Sequence, residues 1–189
     1  MKRSILALAL LATLPFAAQA SDLSYSYVEA GYTRITGVGD KTDGYGLNGS
    51  LALGSSFHLF GGFNAFDISG TPVDVDTWNF GVGYNHSLSD STDLIARLGY
   101  AEFDISGFSA IQNAFDTDSF FTEVGVRSQL APSFEGYVFA GYERPDVGGG
   151  DTYGRLGGQY SFNSSWGLIA DVKFGGGAEQ YFIGPRFTF

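Results

Sequence analysis

The sequence predicts an all-β fold: a transmembrane, antiparallel, up-and-down β-barrel of ten strands, with eight as the alternative count, following a cleaved signal peptide. Three observations predict it. Bulky apolar residues alternate with small or polar ones at period two after residue 20, and no 3.6-residue apolar stripe competes. The bulky set faces the wrong way for a soluble barrel, because glycine and asparagine occupy the other face and large side chains must then meet something apolar outside. Short connections alternate with longer ones rich in Asp and Gly, as in outer-membrane barrels with short turns on one side and loops on the other.

The chain begins with a secretory pattern: Lys2 and Arg3, an apolar run over 5–16, and Ala18-Gln19-Ala20 as a small-residue cleavage site. Residues 1–20 therefore read as signal peptide and 21–189 as one barrel domain. The apolar run is too short for a membrane helix, and nothing later approaches the eighteen or so apolar residues one needs. The chain has no cysteine, so an exported domain of this size needs a large core or full strand closure. Without Lys2 and Arg3, eight basic side chains stand against 20 acidic ones, hence −12, which argues against nucleic acid as a partner.

The strand runs lie at 24–35, 44–54, 57–66, 75–88, 93–103, 118–130, 134–144, 151–162, 166–174 and 179–189. In the second, Tyr45, Leu47, Leu51 and Leu53 face out while Gly46, Asn48, Ser50 and Ala52 face in. The third fits either register. In the fourth, Trp78, Phe80, Val82 and Tyr84 oppose Asn79, Gly81, Gly83 and Asn85. In the ninth, Trp166, Leu168, Ala170 and Val172 oppose Gly167, Ile169 and Asp171. The tenth must pair with the first, since an open edge in lipid costs several kcal/mol per backbone group. There Tyr181, Ile183, Phe187 and Phe189 alternate outward, resembling the C-terminal signal read by the barrel-assembly machinery. Pro185 removes a ladder donor in that strand and predicts a bulge or an unpaired carbonyl opposite.

Outward aromatics fall into two belts, as side chains with one apolar and one wet end favour the membrane boundaries. Tyr32, Tyr45, Trp78, Tyr100, Tyr142 and Tyr181 lie near the loops, and Tyr84, Phe134, Tyr160, Trp166 and Phe187 near the turns. The inward face carries Glu29, Glu123, Glu135, Glu143 and Asp171 with Arg97, Arg127, Arg155, Lys173 and Arg186. Five signs of each kind suit a polar plug of ion pairs better than a pore selective for one charge. Excess acid gathers in the loops and their margins at Asp40, Asp43, Asp67, Asp74, Asp76, Asp104, Asp116, Asp118, Asp146, Asp151 and Glu179, offset by Lys41 and Arg144. Those oxygens either keep the loops solvated or share divalent cations with lipopolysaccharide phosphates, and no full calcium-loop motif is present. No cofactor is implied.

Catalysis has little to work with. His58 and His86 are the two histidines, and neighbouring His86 and Ser87 point to opposite faces of a strand. The Gly148-Gly149-Gly150 run lacks the Lys of a phosphate loop.

The run Asp22-Leu23-Ser24-Tyr25-Ser26-Tyr27-Val28-Glu29-Ala30-Gly31-Tyr32 resembles the mature N-terminus of the sulfation-dependent quorum factor family, small outer-membrane barrels named for a proposed plant-immunity activator. Gly46-Leu47-Asn48-Gly49-Ser50, Phe57-His58-Leu59-Phe60-Gly61-Gly62 and Phe182-Ile183-Gly184-Pro185-Arg186-Phe187 are similar too, so the resemblance spans the chain. It implies an outer-membrane location, release in membrane vesicles, and links to quorum sensing, motility, biofilm and virulence. Tyr25 matches the tyrosine proposed as the sulfated site, whereas its position at the periplasmic start of the first strand predicts packing rather than display. The expected function is thus a monomeric, non-enzymatic outer-membrane protein for envelope integrity or surface interaction, in contact with lipid and lipopolysaccharide. The alternatives are a small porin-like channel for polar solutes and, third, a lipid A-modifying enzyme.

Overall fold

A computed structural model describes residues 23–37, 42–68, 74–106 and 117–189. The expected signal peptide, the cleavage point, Asp40, Lys41 and Asp116 lie outside them. Ten strands form: β1 (Tyr27–Thr36), β2 (Thr42–Leu53), β3 (Phe57–Ile68), β4 (Asp74–Ser89), β5 (Thr92–Ser106), β6 (Thr117–Ala131), β7 (Phe134–Pro145), β8 (Asp151–Ser161), β9 (Trp166–Gly175) and β10 (Ala178–Thr188). Each pairs antiparallel with its sequence neighbours, and β1 pairs with β10 to close the barrel. The count is ten, not eight. Closure removes both sheet edges, which is what lipid requires of a strand-built membrane span.

Alternation becomes sidedness. Phe80, Leu98, Val124 and Leu156 are each more than half exposed on the outer wall, and the band they belong to runs through every strand. A contiguous apolar surface of that extent is intolerable in water and natural in hydrocarbon. In β3 the odd residues face out, with Phe57 and Leu59 exposed and His58 fully buried. Leu51 lies on the outer face by register, opposite Leu59, yet is covered.

The interior is not left to small and polar residues, as the alternation alone suggests. Phe60, Phe121, Phe139, Tyr137, Tyr153 and His58 also point inward. Each is the direct cross-strand partner of a glycine: Phe60 with Gly81, His58 with Gly83, Phe121 with Gly99, Phe139 with Gly125, Tyr137 with Gly157, and Tyr153 with Gly141. In all six a Cβ on the glycine would run into the opposing ring. The inward glycines are therefore seats for aromatic rings, and glycine plus ring fills the lumen that glycine alone would leave empty.

Pro185 does not produce a bulge. β10 keeps one register against β1 from Tyr27–Thr188 to Thr36–Glu179, but the ladder is interrupted between Glu29–Arg186 and Tyr32–Ile183. Pro185 pairs normally with Leu168 on its other side, so its missing donor faces β1. Gly31 and Gly184 meet there backbone to backbone, where a methyl on either would overlap a carbonyl oxygen of the other strand. The register shifts instead occur at the turn ends of β4 and β6, between Ser87 and Ser89 and between Gln129 and Ala131. The loop joining β9 to β10 turns through Gly176 and Gly177 at φ 59° and 82°, the left-handed geometry of a tight hairpin.

Candidate functional site

Register places the ten inward charges in five pairs. Arg186 and Glu29 are direct partners across the closing seam, with Arg186 Nη2 2.7 Å from Glu29 Oε2 and Nε donating to the same oxygen at 2.8 Å. Arg97 faces its direct partner Glu123 at 3.6 Å. Arg127 reaches diagonally to Glu135, donating from Nε at 3.0 Å, and Arg155 reaches diagonally to Asp171, donating from Nε at 3.1 Å. Lys173 spans β8 to place Nζ 2.7 Å from Glu143 Oε2. Arg186 also donates to Gln159 Oε1 at 2.8 Å and lies over the Tyr27 ring, so its fork is fully used. Pairing of this kind is what lets ions occupy a confined interior.

Solvent reaches the pairs from one side. The Arg186, Glu29, Arg127 and Glu135 side chains toward the turns are 10% exposed or less, whereas Arg155 and Lys173, nearer the other end, are 29% and 36% exposed. Between them is a cavity of about 390 Å³, lined on one wall by Asn48, Asn64, Thr77 and Asn79 and on the other by the ion pairs and rings. Asn64 donates to Thr77 Oγ1 at 3.3 Å.

The turn side is shut by the chain's own N-terminal segment. Residues 23–26 do not join β1, which begins at Tyr27; they turn into the lumen. Tyr25 is fully buried there, a correction to its expected place at the start of the first strand. Its hydroxyl donates to Asp93 Oδ2 at 2.8 Å and its ring stacks on His58 at 4.8 Å. Arg127 lies over the ring, its guanidinium carbon 5.2 Å from the ring centre, and donates from Nη1 to the Ser24 carbonyl at 2.8 Å. Leu23 and Tyr25 cluster with Ile95 and Phe139, none more than 3% exposed. Burial pushes the Tyr25 hydroxyl well above the ordinary phenol range, so it stays a neutral donor to Asp93. Asp93 adds a sixth inward carboxylate beyond the five read from the sequence. Its alternation with Ile95 and Arg97 marks it as inward, and its position at a strand end next to a turn hides it.

Along the outer face of β10 and just past its end, Tyr181, Ile183, Phe187 and Phe189 all lie exposed, and Trp166, Phe187 and Phe189 meet in tilted ring contacts at 5.0 and 6.0 Å. Phe189 also ties the two chain ends, its backbone N–H donating to the Ser26 carbonyl at 3.0 Å. His86 is exposed on the outer wall and His58 buried in the lumen, so the two histidines lie on opposite faces of the barrel wall.

At the loop rim, tyrosines of the outer belt bond to acids. Tyr32 donates to Asp43, which also pairs with Arg34, and Tyr181 donates to Glu179 at 2.5 Å. Acids also stand directly opposite acids: Asp43 with Asp67, Asp67 with Asp74, Asp76 with Asp104, and Glu102 with Asp118. Among the described residues no three metal-ligating side chains come together to hold an ion.

These features define a class: a closed transmembrane β-barrel whose lumen is filled by ion pairs and seated rings and stoppered at the turn side. No family model matches the chain, and no curated protein is similar to it in sequence. Among solved structures it is similar to the NanC porin, with a TM-score of 0.55 at 9% identity over 87% of this chain and 100% of that one. It also matches the KdgM porin, at TM-score 0.46 and 12% identity over 86% of this chain and 99% of that one. The translocator domain of the autotransporter NalP from Neisseria meningitidis matches at TM-score 0.46 and 12% identity, covering 96% and 93%. At these identities the likeness is one of fold.

Proposed function

We propose that this protein is a non-enzymatic outer-membrane barrel, closed at rest, that serves envelope integrity or surface interaction through its wall and loops. The observation that carries the reading is the floor of the lumen, where Arg127 holds Glu135, the Ser24 carbonyl and the Tyr25 ring together. A lumen so filled supports the wall and offers no through path. The outward strip ending at Phe189 supports handling by the barrel-assembly machinery, and the acidic rim supports contact with lipopolysaccharide through shared divalent cations. The family resemblance adds a signalling and virulence association and vesicle release; a sulfated Tyr25 would require that residue to leave the lumen. In planar bilayers the mature protein is expected to give no steady conductance, and steady unitary events would contradict closure. Cells lacking the gene are expected to be more sensitive to detergent, and unchanged sensitivity would contradict the envelope role.

A porin-like channel is the second reading. It is favoured by the 390 Å³ cavity in the lumen and by the fold likeness to the NanC porin.

A further inference from the structure

We propose that the barrel is a stoppered cation channel: withdrawal of residues 23–25 toward the turn side, hinged at Ser26, which stays bonded to Phe189 and Ala52, opens a continuous lumen that conducts small cations. The inference builds on the closed-lumen reading, and three observations carry it.

First, the stopper is not part of the wall. The ladder closes from Tyr27 onward, so barrel closure does not depend on Leu23, Ser24 or Tyr25. Contacts that hold them include Tyr25 to Asp93 and His58, the Ser24 carbonyl to Arg127, and Leu23 in the cluster with Ile95 and Phe139. None of these contacts belongs to the strand ladder, whose pairing begins at Tyr27.

Second, the space above the stopper already exists. The cavity extends from Ile35 and Phe103 near the loops down to Arg127 and Tyr137, and Arg127 touches the stopper itself. Removing one tyrosine and one leucine ring-and-branch layer therefore joins an existing cavity to the turn side rather than opening a new one.

Third, the groups left behind have a sign. Arg127 keeps Glu135 as its partner when the stopper leaves, but Asp93 loses the Tyr25 hydroxyl. The opened lumen then carries six carboxylates, Glu29, Asp93, Glu123, Glu135, Glu143 and Asp171, against five cationic side chains, with the extra charge at the stopper's seat. Excess charge in a narrow ring selects for the opposite ion.

The test compares the full mature chain with its Tyr25→Gly and Tyr25→Phe variants in planar bilayers under a KCl gradient, with folding checked by heat-dependent gel migration. The wild type is expected to be silent and Tyr25→Gly to show steady openings, with at least tenfold more open time and a reversal potential on the potassium side. Tyr25→Phe keeps the ring and loses the bond to Asp93, so it should show brief openings above the wild-type level. Adding Asp93→Asn to Tyr25→Gly should weaken the potassium preference. A folded Tyr25→Gly as silent as wild type overturns the stopper; should that variant not fold, a Tyr25→Phe indistinguishable from wild type overturns it. Chloride preference overturns the cation assignment. Steady wild-type conductance overturns the closed-lumen reading, and if Tyr25→Gly leaves it unchanged the stopper falls with it.

Discussion

Phe139 of β7 lies against Gly125 of β6, its direct partner across the strand pair, and a methyl on that glycine would overlap both the ring and the Val138 carbonyl. Gly125→Ala is therefore expected to cost about 1–3 kcal/mol, the usual range for overpacking a filled interior. Gly49→Ala is the control, because a Cβ there would meet nothing closer than 3.6 Å. Urea unfolding in lipid vesicles, followed by tryptophan emission, should show a large loss for the first and little for the second. Equal midpoints would mean that the ring-on-glycine seats do not fill the lumen.

The Arg186–Glu29 pair spans the closing seam with both side chains 5% exposed or less. Arg186→Met alone leaves Glu29 charged and unpaired, and should cost about 3–5 kcal/mol. Replacing both residues with Met should recover most of that loss, since an apolar pair needs no desolvated charge. The same unfolding measurement decides it. A double variant as weak as Arg186→Met would show that the pair contributes through shape rather than charge.

Asp67 stands directly opposite Asp43 across the β2–β3 pair. Like charges in direct cross-strand register repel, so Asp67→Asn should stabilise the barrel by about 0.2–1 kcal/mol. The gain should shrink at high salt. If Asp67→Asn instead destabilises in salt-free buffer, some favourable partner for that carboxylate outweighs the repulsion.

Much of this molecule is legible in its sequence because lipid leaves few choices. Period-two alternation with Trp78, Phe80, Val82 and Tyr84 on one face and glycine and asparagine on the other has one compact solution, and the runs count to ten while leaving eight open. Ten inward charges are legible for the same reason, while Asp93, at a strand end beside a turn, is not. Parity alone could not say what fills the lumen, because it does not reveal that Gly83 makes room for His58 or Gly141 for Tyr153; those are cross-strand facts. Nor could it end β1 correctly. Leu23 and Tyr25 continue the alternation of Tyr27 and Glu29, but β10 stops at Thr188, so the wall offers them no strand partner on that side and they turn inward. For Pro185 two outcomes are legible, a bulge or an unpaired carbonyl opposite; the ladder gap agrees with the second, and the bulge is absent because two glycines let the backbones close in without a register shift.

The central claim is that the bulky outer face meets hydrocarbon, and the chain's two tryptophans report on it from opposite ends of the barrel. Trp78 and Trp166 are each 51% exposed on the outer wall, one near the loops and one near the turns. With the mature protein folded into vesicles of lipids brominated along the acyl chain, the account predicts strong quenching of both, resolved by Trp78→Phe and Trp166→Phe, and deepest for bromines placed near the headgroups. Emission untouched by brominated lipid, from a chain that stays monodisperse in detergent-free buffer, would contradict it.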